Sequence, residues 1–209
     1  ELLGDTFDIH GGGADLQFPH HENEVAQSCC AAPDSGFAKV WLHNGMINVD
    51  GRKMSKSLGN FLTVEDLRGK GQRSFLREEA LRYAMLDTHF SKTLDWTEKK
   101  VEEAEITLDR WHRMTAHLDA ISVAELQVSE TLIASLADNL NTHLALVSVQ
   151  ALSSTPERLL RSARFLGFLS DEARQEHRER NPFTSEDENF SRLTSSPPPI
   201  SFAVFSFSY

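Results

Sequence analysis

From Thr97 onward the apolar residues of this chain recur at the spacing of an α-helix, and before it they do so only over residues 78–87. Val101, Ala104, Leu108, Trp111 and Leu118 share one face behind the cap candidate Thr97. Leu132, Leu136, Leu140, Leu144 and Val147 form a second stripe from about Ser129, and Leu159, Ala163 and Leu166 a third after Thr155 and Pro156, where proline suits a first helical turn. This periodicity commits the second half to an α-helical unit. The first half is broken by glycine and proline at short intervals. Thr6, Phe7, Asp8 and Ile9 read as a short strand ending in a turn at His10, Gly11, Gly12 and Gly13. A helix is expected from Pro19, and Val40–Leu42 and Met46–Val49 are expected strands, the second followed by a tight turn at Asp50 and Gly51. Residues 78–87 are helical in composition, with Ala80, Leu81, Ala84 and Met85 on one stripe. The fold class is therefore α/β, then all-α. No internal repeat is visible.

The chain has 209 residues, 40% of them hydrophobic, enough for one medium domain or two small ones. A net charge of -10 argues against nucleic-acid binding through charge spread over the whole surface. Its distribution is more informative. Residues 1–49 carry seven acids against the single base Lys39, whereas residues 50–82 carry eight bases against five acids. The two cysteines, Cys29 and Cys30, are adjacent, which is not a disulfide framework and points to a reducing, cytoplasmic setting. No apolar run reaches the roughly 20 residues of a membrane helix, so no membrane partner is expected.

Two segments carry chemistry. His20 and Glu24 fall one helical turn apart, so both can reach one Zn²⁺, although a closed tetrahedral site needs two further ligands. Taken without context, His20, His21, Glu22 and Glu24 read rather as a polar helix start. In the second segment, Lys53, Met54, Ser55, Lys56 and Ser57 alternate charge with hydroxyls between Gly51 and Gly59. Such a loop can place cations and hydrogen bonds on a polyphosphate, and it can also be a solvated basic loop.

Taken together, and in this order, the two segments resemble cysteinyl-tRNA synthetase, a class I aminoacyl-tRNA synthetase. The resemblance runs from Phe7 to about Leu169, roughly four fifths of the chain, and includes Trp41-Leu42-His43-Asn44-Gly45-Met46, Leu81-Arg82-Tyr83, Leu94-Asp95-Trp96-Thr97 and Asp138-Asn139-Leu140-Asn141-Thr142. It implies a partial Rossmann-like nucleotide-binding catalytic domain followed by a helical bundle. It also implies one Zn²⁺ held by two cysteines, a histidine and a glutamate, the last two falling on His20 and Glu24. The metal would select the substrate thiolate over a hydroxyl. His10 matches a histidine beside the amino-acid pocket, with Gly11 and Gly12 letting the backbone approach closely. His21 and Glu22 take supporting places, and packing is the expected role of Cys29 and Cys30. The loop matches the family's KMSKS element, with Lys56 as the foremost ATP contact and Lys53, Ser55 and Ser57 assisting; Lys53 and Lys56 stabilise charge on the leaving pyrophosphate. The implied substrates and partners are cysteine, ATP and tRNA(Cys), and the expected state is a monomer.

This sequence departs from the family in two respects. The His-Ile-Gly-His ATP element and the two zinc cysteines, normally upstream, are absent from these residues, so the chain alone is expected to be inactive and to be part of a longer protein. The end of the sequence, with Pro197, Pro198, Pro199 and a Phe/Ser alternation to Tyr209, replaces the family's continuing bundle. The expected division is residues 1–60 for the zinc-side and KMSKS segments, 61–97 for a connecting region, 98–172 for the bundle and 173–209 for a disordered or atypical tail, in which residues 201–209 could alternatively form an exposed strand. Arg68, Lys70, Arg73 and Arg77 are candidates for acceptor-arm contact or ordinary solvated charges. Two other readings stand beside this one: the cysteine ligase of mycothiol synthesis, which shares the adenylate chemistry, and a catalytically dead fragment that binds tRNA or a protein partner.

Overall fold

Strand β1 (Phe7–Gly13) lies parallel to β2 (Ala38–Asn44), and helix α1 (Glu22–Ala31) lies between them in sequence. The computed structural model that shows this describes residues 6–33, 36–69, 74–118, 123 and 126–181. The expected turn at His10–Gly13 is not formed: the glycines continue the strand, with His10 opposite Trp41 and Gly12 opposite His43. The missing side chain is needed there for packing. A Cβ on Gly12 would stand 2.8 Å from Cε1 of His21 and 2.9 Å from its Nε2, so only glycine lets that ring lie against the strand. Helix α1 begins at Glu22, a few residues later than Pro19, after a kinked turn over Gln17–His21.

A second small sheet follows. Strand β3 (Ile47–Val49) pairs antiparallel with β4 (Arg52–Lys53) and parallel with β5 (Leu94–Trp96). Asp50 and Gly51, at φ 49° and 73°, make the expected turn in the conformation that suits the twist of a hairpin. Gly45 leads from β2 into β3 beside the Lys92 backbone, whose carbonyl oxygen would overlap any Cβ at that position.

The remainder is helical and contains the core. Helix α2 (Val64–Arg68) opens on a reciprocal cap in which the Thr63 hydroxyl accepts from the Asp66 N–H (3.0 Å) and the Asp66 carboxylate accepts from the Thr63 N–H (3.1 Å). Helices α3 (Phe75–Leu86) and α4 (Glu98–Thr115) start on Ser74 and Thr97, whose hydroxyls each accept a backbone N–H. The α4 stripe is buried as expected through Trp111, which meets Tyr83 and Phe168 edge-on or tilted within one aromatic cluster. Leu118 lies beyond the end of α4 and packs on the core from there.

The single stripe expected from Ser129 to Val147 is two helices, α5 (Glu130–Ala137) and α6 (Thr142–Gln150). Asn139 and Leu140 take positive φ, and the Asn141 side chain accepts from the Leu144 N–H (3.1 Å) to start α6. The break is docked on the end of α3: the Thr142 hydroxyl donates to the Leu86 carbonyl (2.7 Å), and His89 Nε2 bonds the Asn139 carbonyl (2.9 Å). Helix α7 (Pro156–Phe165) carries proline in its first turn and buries Leu159, Leu160 and Ala163.

Helical order then continues beyond residue 172. Helix α8 (Asp171–Arg180) is attached by polar groups rather than by an apolar stripe. Arg174 donates to the carbonyls of Thr115 (3.1 Å) and Leu118 (2.6 Å) at the end of α4, and Glu176 accepts from the Ser74 hydroxyl (2.8 Å) and the Phe75 N–H (2.7 Å) at the start of α3. These four bonds tie α8 to polar groups at the ends of α3 and α4. Buried His177 bonds Asp109 (2.9 Å) and stacks on His112, which faces Glu79 at 3.4 Å. The tail at residues 182–209, with the possible strand over 201–209, and the charges Lys70 and Arg73 lie outside the described residues. No helix among the described residues is long and apolar enough to cross a membrane.

Candidate metal and nucleotide sites

The β1–α1 junction gathers the residues that the sequence suggested for a metal and an amino-acid pocket. Glu24, in the first turn of α1, presents one carboxylate oxygen to His10 Nε2 of β1 at 2.8 Å and the other to His20 Nε2 at 3.3 Å. His20 is largely exposed, His10 and Glu24 are half-buried, and His21 is buried at 4% exposure. A second donor grouping overlaps this one: nitrogen atoms of His10 and His21 and an oxygen of Glu24 all lie within 4.8 Å of one another. Burial pushes the His21 imidazole below the ordinary histidine range, and the neighbouring His10 adds to that. Gly11 follows the β2 backbone, where an added Cβ would be 3.4 Å from the Leu42 carbonyl oxygen.

His20 and Glu24 fit a zinc ion as two donors of suitable chemistry already near one another, a half-site that needs two more ligands. Cys29 and Cys30 are free and exposed on α1 rather than packed, and neither belongs to the donor grouping. An open cavity of about 560 Å³ adjoins the histidines, lined by Gln17, Phe18, His21, Glu22, Val25, Trp41 and His43.

The basic segment is a folded loop. Lys53 ends the hairpin, Met54 N–H donates to the Ile47 carbonyl (3.1 Å), and Lys56–Leu58 form one 3-10 turn capped by the Ser55 hydroxyl, which also meets the Ser57 hydroxyl at 3.1 Å. Asn60 closes the loop: its Oδ1 accepts from the Ser55 N–H (2.9 Å) and its Nδ2 donates to the Lys53 carbonyl (3.2 Å). The Lys56 ammonium sits 5.6 Å from the Phe61 ring centroid, a cation–π distance. Neither Lys53 nor Lys56 has an ion pair with a described residue, so both charges are available to an anion. No hydrogen bond, ion pair or ring contact among the described residues joins this loop to the histidine group. Arg68 pairs with Glu78, and Arg77 with Glu98 (2.7 Å) and Glu105 (2.8 Å), so these two candidates for RNA contact are occupied by carboxylates.

Sequence reasoning assigned no part to His43 or Asn60. His43 comes to His21 only through the pairing of β1 with β2, whereas an Asn directly after a Lys/Ser loop is a local signal for loop closure.

The described residues thus form a parallel β–α–β unit with a histidine–carboxylate group, followed by a basic hairpin loop and a helical unit. The family model for the class I (C) tRNA synthetase catalytic domain matches residues 1–106, and the chain belongs to this family. Curated relatives include the cysteine–tRNA ligase of Cereibacter sphaeroides, 50% identical over 83% of this chain and 35% of the relative, and that of Ruegeria pomeroyi, 54% identical over 73% and 31%. A cysteine–tRNA ligase of a Jannaschia species is 54% identical over 74% of this chain and 32% of its own. The chain thus spans about a third of the length of these relatives. In fold it is similar to the LeuRS of Agrobacterium radiobacter K84, solved as a ternary LeuRS–tRNA–LeuAMS complex, with a TM-score of 0.54 at 16% identity over 82% of this chain and 27% of that one.

Proposed function

We propose that this chain is the zinc-side and KMSKS-side portion of a cysteine–tRNA ligase, which activates cysteine with ATP and transfers it to tRNA(Cys). The observation that carries this reading is the Glu24 carboxylate held between His10 and His20, in a chain about 50% identical to proteins of that name. His20 and Glu24 would hold zinc together with two cysteines from outside these residues; such a centre favours a thiolate over a hydroxyl, the distinction needed between cysteine and serine. His10, Gly11 and Gly12 would line the amino-acid pocket.

In the first step a carboxylate oxygen of cysteine bonds to the α-phosphorus of ATP, and the bond to the bridging oxygen breaks to release pyrophosphate. Lys56 and Lys53 would stabilise the charge gathering on that leaving group, with Ser55 and Ser57 as hydrogen-bond donors. In the second step a terminal ribose hydroxyl of tRNA bonds to the carbonyl carbon, AMP leaves and the hydroxyl proton is lost. No side-chain nucleophile is required, since positioning and charge stabilisation supply the rate. Residues 61–97 would connect the catalytic part to the helices. The protein would act in the cytoplasm as a monomer, and these residues alone would be inactive.

The test compares this chain with a form extended by the upstream part of a relative, measuring zinc content and cysteine-dependent ATP–pyrophosphate exchange. Exchange by the extended form alone is expected. Exchange by neither form, with zinc bound by neither, would refute the roles given to His20, Glu24 and Lys56.

A further inference from the structure

Behind the His10–Glu24 pair, side chains from three elements form one packed group. His21 is its buried hub. Its Nδ1 shares a hydrogen bond with Nε2 of His43 on β2 at 2.9 Å. Its ring meets His10 edge-on, with centroids 4.8 Å apart, and rests where Gly12 leaves room for it. Trp41 completes the group, 4.8 Å from His10, 5.4 Å from His21 and stacked nearly parallel on His43 at 5.8 Å.

We propose that His43 is a positioning residue for the amino-acid side of this site: it locks the ring of His21, which in turn holds His10 at the angle from which Nε2 meets Glu24. The proposal rests on the ligase reading, because it takes the orientation of Glu24 as what matters. In the hydrogen bond between the two imidazoles one nitrogen donates and the other accepts, so the bond fixes the rotation of the His21 ring, and a single direction of donation would fix its tautomer as well. The His10 ring lies against His21 and Trp41, and it occupies one oxygen of Glu24, leaving the other toward His20. Phe37 and Phe7 also meet the His10 ring, so release of His21 removes one of four rings that hold it and loosens its hold on the Glu24 carboxylate. Among the described residues His43 makes no hydrogen bond, ion pair or ring contact with Glu24 or His20, so its influence passes through His21.

The experiment uses the chain extended by the upstream part of a relative, so that the two further zinc ligands are present, with His43→Phe, which keeps an aromatic ring against Trp41 but no nitrogen, and His43→Gln, which keeps a group able to donate and accept. Long-range ¹H–¹⁵N spectra read the imidazole tautomers, and competition with a chromophoric chelator reads the affinity for zinc. The unsubstituted form should show His21 as a single tautomer. His43→Phe should average it, move the His10 Nε2 resonance and lower zinc affinity by about 10–100-fold, the usual effect of removing a group that orients metal ligands; His43→Gln should restore most of each. The proposal is overturned if His21 already averages in the unsubstituted form, if His43→Phe leaves the His10 resonance in place, or if His43→Gln behaves as His43→Phe does. Absence of zinc binding by every form, or binding that survives His20→Ala, counts against the ligand assignment instead, and the His21 and His10 resonances still decide the role of His43.

Discussion

Replacing Asn60 by alanine removes both hydrogen bonds that close the basic loop, those to the Ser55 N–H and the Lys53 carbonyl. Each is worth about 0.5–1.5 kcal/mol net. Because the loop is largely exposed, water can replace the lost partners, and the sum should fall near the lower end, about 1–2 kcal/mol. That corresponds to roughly a 5–30-fold rise in the open population of the loop. Amide hydrogen exchange reads this directly. Protection should fall by that factor at Ser55, at Leu58, which donates to Ser55, and at Gly59, which donates to the Lys56 carbonyl. Amides within α4 should not change. Asn60→Asp keeps an acceptor for Ser55 but loses the donor to Lys53, so it should show about half of the free-energy effect. Unchanged exchange in the loop of Asn60→Ala would refute the assignment of Asn60 as its closure, and equal loss in α4 would show a global effect instead.

Trp111→Ala should destabilise the helical unit by about 3–5 kcal/mol, because the indole is 1% exposed and its removal opens a cavity against Tyr83 and Phe168; urea unfolding followed by circular dichroism checks this. Burial, reinforced by His112, holds His177 below the ordinary histidine value of 6.5 despite its bond to Asp109. Between the folded and unfolded values the unfolded chain binds more protons, so this contribution is complete above about pH 6.5 and is lost as pH falls through that window, by at most about 1.4 kcal/mol per pH unit. Urea midpoints measured from pH 8 to pH 5 should show the slope, and His177→Gln should flatten it. Gly12→Ala should cost about 1–3 kcal/mol by forcing the His21 ring away, seen as a lower melting temperature together with shifted His21 resonances.

Local signals in the sequence were read correctly where local chemistry decides the structure. Thr97 caps α4, Pro156 starts α7, and the Asp50–Gly51 turn is formed. Three features were not legible because distant contacts decide them. The glycines after His10 read as a turn, yet they extend a strand because His21 requires the space beside Gly12. The break between α5 and α6 keeps its apolar residues in helical register, so spacing could not show it; the end of α3 holds it in place through Leu86 and His89. Helix α8 has no stripe to read, since Arg174 and Glu176 fasten it to the ends of other helices. Within the site, the i,i+4 relation of His20 and Glu24 was visible, whereas His10 reaches Glu24 across fourteen residues and His43 reaches His21 across twenty-two.

The two-stranded sheet has a consequence for how the protein behaves in concentrated solution. Parallel strands are ordinarily covered on both faces, yet Ile9, Phe18 and Val40 are 63%, 77% and 53% exposed around β1 and β2. Copies meeting at this patch would gain by excluding water, while the net charge of -10 keeps them apart. Salt weakens the repulsion over distances beyond about 10 Å at 0.1 M but leaves the apolar attraction in place. Light scattering from this chain should therefore rise with ionic strength, and an Ile9→Lys or Phe18→Lys substitution should suppress that rise without altering the helical core.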